Sequence, residues 1–212
     1  MFKIVKTWKL EYLVVLDCIR LREIVAKGKE EDIKKGGELE LPKLTTLNFS
    51  KLPKLKSFYP GVNGLSCPLL NELSIELCGN LELFREETVD ASSGKETILF
   101  PEVVINNLKS MQIEWQHAKS STRYRRDNLE ELRLSRLKDV IYSFLHSNPN
   151  LKSLWLKDCS FQVLMPLDRP ANFKSLGVVP KLKSLKLTNL IWLKEIGFEH
   201  IRSSHNERKM ND

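Results

Sequence analysis

The 212-residue sequence has no apolar run longer than a handful of residues. A membrane-spanning helix needs about 20, so no span is expected. Its four cysteines are too few to staple a chain of this length, and no pair has zinc-ligand spacing. No GxxxxGK[ST] phosphate loop occurs. Gly36-Gly37 runs into Glu38 and Leu39, not into the start of a phosphate-cradling helix. HExxH is also missing, and His117, His146, His200 and His205 are dispersed. Glu86-Glu87 lies in a polar stretch that implies no pocket. Catalysis, metal binding and cofactor binding therefore have no residues to rest on, and the expectation is a non-enzyme without cofactors.

What is present is ordinary globular material with one excess. Hydrophobic residues make up 42% and charged residues 29%, which excludes disorder throughout. Leucine occurs 35 times. The net charge of +7 raises the question of an acidic partner. Near the N-terminus, Lys3 and Lys6 precede an apolar stretch over residues 13–16. Glu11 and Asp17 interrupt it, and no small-residue cleavage site follows, so it is not read as a secretory signal.

The leucines repeat. An apolar residue, two variable residues, an apolar residue, one variable residue and an apolar residue recur seven times. The copies are LEYLVVLDC from Leu10, LTTLNFSKL from Leu44, LNELSIELC from Leu70, LKSMQIEWQ from Leu108, LEELRLSRL from Leu129, LKSLWLKDC from Leu151 and LKSLKLTNL from Leu182. Successive starts are 34, 26, 38, 21, 22 and 31 residues apart. The leucine-rich repeat has a period of ~20–29 residues and the core L-x-x-L-x-L-x-x-N/C-x-L. A single match in a leucine-rich chain means little, but two correlations fix the register. The ninth positions are Cys18, Leu52, Cys78, Gln116, Leu137, Cys159 and Leu190, so three of the four cysteines share one place. Pro42, Pro68, Pro149 and Pro180 each stand two residues before a first leucine.

The expected fold is thus an α/β leucine-rich-repeat solenoid. Each x-L-x-L segment makes a short strand with one apolar face. Stacked strands form a curved parallel sheet on the concave side, and irregular turns and short helices return on the convex side. Residues 137–146 show helical spacing at Val140, Ile141, Phe144 and Leu145, and stop before Asn148-Pro149. Residues 52–60 and 81–84 read as irregular turns. Cys18, Cys78 and Cys159 read as reduced core residues, and Cys67 as structural in the turn with Pro68. Residues 27–40, 85–97 and 116–128 are polar and read as solvated loops. Residues 1–200 form an array of about seven repeats, and 201–212 a polar tail. No polar capping unit is evident at either end, as solenoids require, so a piece of a longer array, or the product of a truncated gene, is expected. Asn106 and Gln116 break the pattern around the fourth repeat.

Template positions three, five and seven point off the concave sheet. The candidate binding residues there are Tyr12, Val14, Asn48, Glu72, Ser74, Glu76, Gln112, Glu114, Glu131, Arg133, Trp155, Lys157 and Lys186. Glu72, Glu76, Glu114 and Glu131 would repel a phosphate backbone laid along this face. A protein partner is expected, not nucleic acid, with Trp155 as a candidate anchor. Asn48-Phe49-Ser50 matches a glycosylation sequon, but it falls on a predicted strand.

These segments resemble a family. LPKLTTLNFSKLPKLKSFYPG (residues 41–61), SCPLLNELSIELCGNLELF (66–84), NLEELRLSRLKDV, PNLKSLWLKDCSF and PKLKSLKLTNLIWLKEIGFEH are similar to the repeat region of plant coiled-coil nucleotide-binding leucine-rich-repeat disease-resistance proteins. The resemblance covers roughly residues 8–200. It implies a cytoplasmic module of innate immunity that recognises pathogen effectors or modified host proteins and restrains a nucleotide-binding domain. That domain is missing from this sequence, so nucleotide switching is carried over to no residue. The alternative is the substrate-recruiting module of an F-box-type ubiquitin ligase. An extracellular receptor fragment would instead need a glycan on Asn48 and oxidised cysteines.

Overall fold

A computed structural model describes residues 5–24, 37–56, 62–81, 107–114, 126–138, 145, 147–164 and 181–196. Each of the seven copies places one five-residue strand at template positions three to seven. These are β2 (Tyr12–Leu16), β4 (Thr46–Ser50), β6 (Glu72–Glu76), β7 (Ser110–Glu114), β8 (Glu131–Ser135), β9 (Ser153–Lys157) and β10 (Ser184–Thr188). They form one all-parallel sheet in the order β10-β9-β8-β7-β6-β4-β2. Every neighbouring pair is in template register, so Leu47 sits beside Leu73 and Leu132 beside Leu154. Spacings of 21 to 38 residues therefore end in one geometry, and the extra length lies in the return segments.

Backbone hydrogen bonds at both ends of each strand impose that register. The carbonyl at position two accepts two N–H groups of the next repeat, from positions two and three. Glu11 accepts from Thr45 and Thr46, Thr45 from Asn71 and Glu72, and Asn71 from Lys109 and Ser110. Lys109, Glu130 and Lys152 continue the series up to Lys183 and Ser184. At the other end, position eight turns left-handed. Asp17, Lys51, Leu77, Arg136, Asp158 and Asn189 all have φ between 53° and 58°. The N–H groups of Asp17, Lys51, Arg136 and Asp158 still reach the position-seven carbonyl of the next repeat, at 3.0–3.1 Å. The turn ends the strand and swings position nine into the core.

The prolines acquire a reason. Leu44, Leu70 and Leu151 donate their N–H to the carbonyls of Leu41, Cys67 and Asn148, three residues back. Pro42, Pro68 and Pro149 are the second residues of these turns, where the fixed φ of proline is already correct. Pro180 lies outside the described residues. Asparagine side chains stitch successive turns together: Asn107 Nδ2 donates to the Pro68 carbonyl (3.2 Å) and Asn150 Nδ2 to the Asp127 carbonyl (2.6 Å).

Positions one, four, six and nine build the core. Leu44, Leu47, Phe49 and Leu52 are buried, as are Leu70, Leu73, Ile75 and Cys78, and the pattern holds through Leu151, Leu154, Leu156 and Cys159. Each buried leucine contributes about 1.5–3 kcal/mol relative to exposure. In the two outermost repeats the same positions are less covered. Leu13, Val15, Leu185 and Leu187 are only half-buried, because each has a neighbouring strand on one side alone.

Several expectations need correction. Residues 27–40 are not wholly a loop: Gly37–Glu40 form β3, which joins β1 (Val5–Thr7) and β5 (Val62–Ser66) in a second parallel sheet of order β1-β3-β5. Cys18 is exposed, not core, because its repeat carries the edge strand. Residues 116–125 lie outside the described part, but Arg126, at the end of that supposed solvated loop, is fully buried. It occupies the turn position that Leu41 and Cys67 hold in earlier repeats, and its Nη1 donates to Asn148 Oδ1 at 3.5 Å. Of the expected helix at residues 137–146, Leu145 is helical and 139–144 and 146 lie outside the described residues. So do residues 85–97 and the 201–212 tail.

Among the described left-handed positions, Leu77 is the one with a large apolar side chain. A left-handed residue with a Cβ costs roughly 1–2 kcal/mol. Leu77→Gly is expected to raise unfolding stability by about 0.5–1 kcal/mol, the remainder being offset by the entropy of glycine in the unfolded chain. Leu77→Ile, β-branched, is expected to lower it. Denaturant melts of both variants check the signs.

Candidate functional site: the open face of the sheet

Since positions four and six are buried, positions three, five and seven form the open face. Parallel register lines them up in rows. The central row is Val14, Asn48, Ser74, Gln112, Arg133, Trp155 and Lys186. On one side runs Tyr12, Thr46, Glu72, Ser110, Glu131, Ser153 and Ser184; on the other, Leu16, Ser50, Glu76, Glu114, Ser135, Lys157 and Thr188. All thirteen candidates therefore stand on one sheet, and twelve are open to solvent or partly so.

Glu114 is the exception and is withdrawn from the binding face. It is only 4% exposed, and Arg136 Nη1 pairs with its Oε1 at 3.3 Å. Arg136 occupies the left-handed position of the next repeat, which brings its side chain back over the strand end. Analogous links join Lys51 to Asp17 (2.9 Å) and Asn189 Nδ2 to Asp158 Oδ1 (2.5 Å). Position eight is thus a rim of cross-repeat contacts.

Trp155 is half-buried between charges of its two neighbouring strands. Lys186 Nζ lies 4.1 Å and the Arg133 guanidinium carbon 5.3 Å from the ring centroid, both within cation–π reach. Its Nε1 donates to Thr188 Oγ1 at 3.0 Å. The described contacts of the ring are with strand neighbours. Arg133 also faces Glu131 at 3.9 Å, a long and exposed pair worth little.

The face divides by chemistry along the sheet. β2 presents Tyr12 (65% exposed), Val14 and Leu16, all apolar and open. β4 is neutral and polar. β6 carries Glu72 and Glu76; Thr46 Oγ1 donates to Glu72 Oε2 at 3.3 Å. β8 carries Glu131 beside Arg133, and β9 and β10 carry Trp155, Lys157 and Lys186. A groove of about 610 Å³ runs over Thr46, Asn48, Glu72, Ser74, Gln112, Glu131 and Arg133, and a second of about 300 Å³ over Glu76, Gln112, Arg133, Trp155 and Lys157. Gln112 and Arg133 line both.

Position two was missed by the sequence reading. Lys109 and Glu130 line the larger groove, and Lys152 Nζ pairs with Glu130 Oε1 at 2.7 Å. The Lys152 ammonium holds the Glu130 carboxyl below its ordinary range. The signal was the alternation Lys109, Glu130, Lys152 at one template place.

No group of three or more His, Cys, Asp or Glu side chains among the described residues gathers in metal-binding geometry. No helix among them is long and apolar enough to cross a membrane. Burial pushes the Cys67 thiol up to about 12 and raises Cys78 and Cys159 as well. The Cys78 and Cys159 thiols are turned to strand-end carbonyls, Glu76 at 3.2 Å and Lys157 at 3.3 Å. Protonated, buried thiols are poor nucleophiles.

Fold and face together define a repeat-built, solenoid-like chain with a chemically graded open surface. No protein-family model matches the chain, and no curated protein matches it.

Two outcomes follow for the thiols. A thiol-specific reagent at pH 8 is expected to modify Cys18 in the folded protein and Cys67, Cys78 and Cys159 only on unfolding. The raised thiol in the folded state means stability is fully present below pH 9 and is lost as pH rises from 9 towards 12, because the unfolded chain gives up the Cys67 proton first. Cys67→Val is expected to shrink that loss, measured as the difference between its alkaline unfolding curve and that of the unaltered protein.

Proposed function

We propose that the chain is a leucine-rich-repeat solenoid and a non-enzymatic protein-interaction module of plant innate immunity. It acts in the cytoplasm, recognising a pathogen effector or a modified host protein through the open, concave face of its sheet and restraining a nucleotide-binding domain. One observation supports this best. Every L-x-x-L-x-L copy supplies one in-register parallel strand whose variable positions alone reach the open face. Such a scaffold separates the residues that hold the fold from those that meet a partner, and the partner can change without cost to the core.

The acidic strand argues for protein over nucleic acid. Glu72 is exposed, and Glu76 has no cationic partner among the described residues. A polyphosphate laid across β6 would meet both carboxylates. Trp155 between two cations suits a protein surface, where aromatic and arginine anchors concentrate binding energy.

Two measurements test the reading. The transcript upstream of Met1 is expected to encode an in-frame GxxxxGK[ST] loop; an F-box there would replace the immune reading with a degradation adaptor. Proximity labelling in leaf tissue, before and after pathogen challenge, is expected to mark a challenge-dependent neighbour. The double variant Glu72→Lys, Glu76→Lys should lose that neighbour by at least about tenfold while melting normally, because the reversed charges oppose a partner selected by the carboxylates. An unchanged neighbour set would sink the assignment of the face.

A further inference from the structure

We infer that the open face takes an extended protein segment of defined polarity: an apolar side chain on β2, a basic one over β6 and an acidic one over β9 and β10. This rests on the open face being a protein-binding surface and goes further by naming the chemistry and spacing of what it holds.

Several charges on the face have no oppositely charged partner among the described residues. Glu76 on β6 and Lys186 on β10 pair with no opposite charge among the described residues. Among the described residues, Glu72 receives the Thr46 hydroxyl and no cation. By contrast, the rim charges at position eight and Glu114 are paired across repeats. Neutralisation at the rim leaves the floor charged: negative on β6, mixed on β8, where Glu131 faces Arg133 at 3.9 Å, and positive on β9 and β10.

The aromatic at the positive end sharpens the assignment. Lys186 and Arg133 lie against Trp155, which stations both cations at the floor of the face. A carboxylate arriving there meets Lys186, already gathered against the ring, as its principal donor, since Arg133 also faces Glu131 at 3.9 Å; a donor held in place lowers the ordering cost of the contact. At the opposite end Val14, Leu16 and Tyr12 supply open apolar surface.

The register converts this into a spacing. Neighbouring strands lie about 4.8 Å apart, and an extended chain advances about 3.3 Å per residue. From β2 to β6 is two strands, roughly 10 Å or three residues; from β6 to β9 is three strands, roughly 14 Å or four residues. A segment crossing the strands would read apolar, about three residues on to Lys or Arg, then about four more to Asp or Glu, in either chain direction. A uniformly acidic or basic segment meets repulsion at one end.

The test is selection from a displayed library of random 16-residue peptides on the purified full chain. Enrichment of the apolar–basic–acidic order at those spacings is expected. Glu76→Lys should reverse the preference at the basic place and weaken peptides selected on the unaltered chain by at least about tenfold. Lys186→Glu should do the same at the acidic place alone, and both variants should melt like the parent. Enrichment of peptides of one charge sign, or of an order that neither variant changes, overturns the polarity while leaving a binding face. No enrichment of any residue type overturns the protein-binding reading itself, and the polarity with it.

Discussion

A single backbone arrangement sets everything else: the position-two carbonyl that accepts two N–H groups of the next repeat. It recurs at all six junctions between the seven strands, from Glu11 to Lys152. An acceptor shared by two consecutive donors leaves little freedom to slide by a residue. Slippage by one would exchange the buried and open faces of a strand. Because the clamp is made of main chain, it tolerates Glu, Thr, Asn or Lys at the same place. That is why repeats of unequal length and unlike surface still align.

Cooperation between neighbours follows. Core positions in the middle repeats are closed on both sides, and Leu47, Leu132 and Leu154 are fully buried. At β2 and β10 the equivalent Leu13 and Leu185 have one neighbour and stay half-covered. Stability in such an array is a sum over interfaces, so it is concentrated in the middle, beneath the charged part of the open face. Most candidate binding residues thus stand on these doubly flanked strands, which favours fixed geometry over adaptation, while Tyr12, Val14 and Lys186 stand on the two outermost.

The repeat was legible because core and turn impose chemistry on particular places. Leucines at positions one, four and six, prolines at the second turn residue, and cysteines at nine each answer a local demand: burial, a preset φ, a thiol that satisfies a strand-end carbonyl. The face residues were legible by subtraction, as whatever the core did not claim. What escaped notice had no periodic mark. The β1-β3-β5 sheet arises from Val5–Thr7, Gly37–Glu40 and Val62–Ser66, segments that share no pattern and pair only because the larger sheet brings them side by side.

From the sequence alone came the number of repeats, their register, the core, and which side chains leave it, since all of these rest on local alternation and spacing. Only the tertiary structure could decide which of those side chains are spoken for. Glu114 reads like Glu72 and Glu76, yet Arg136 of the next repeat closes over it. Cys18 reads like Cys78, yet the edge of the sheet leaves it exposed. Trp155 gains two cations from strands on either side. Each outcome depends on a neighbour about 20 to 40 residues away in the chain, across a gap whose length varies, and burial and charge pairing are properties of that neighbourhood.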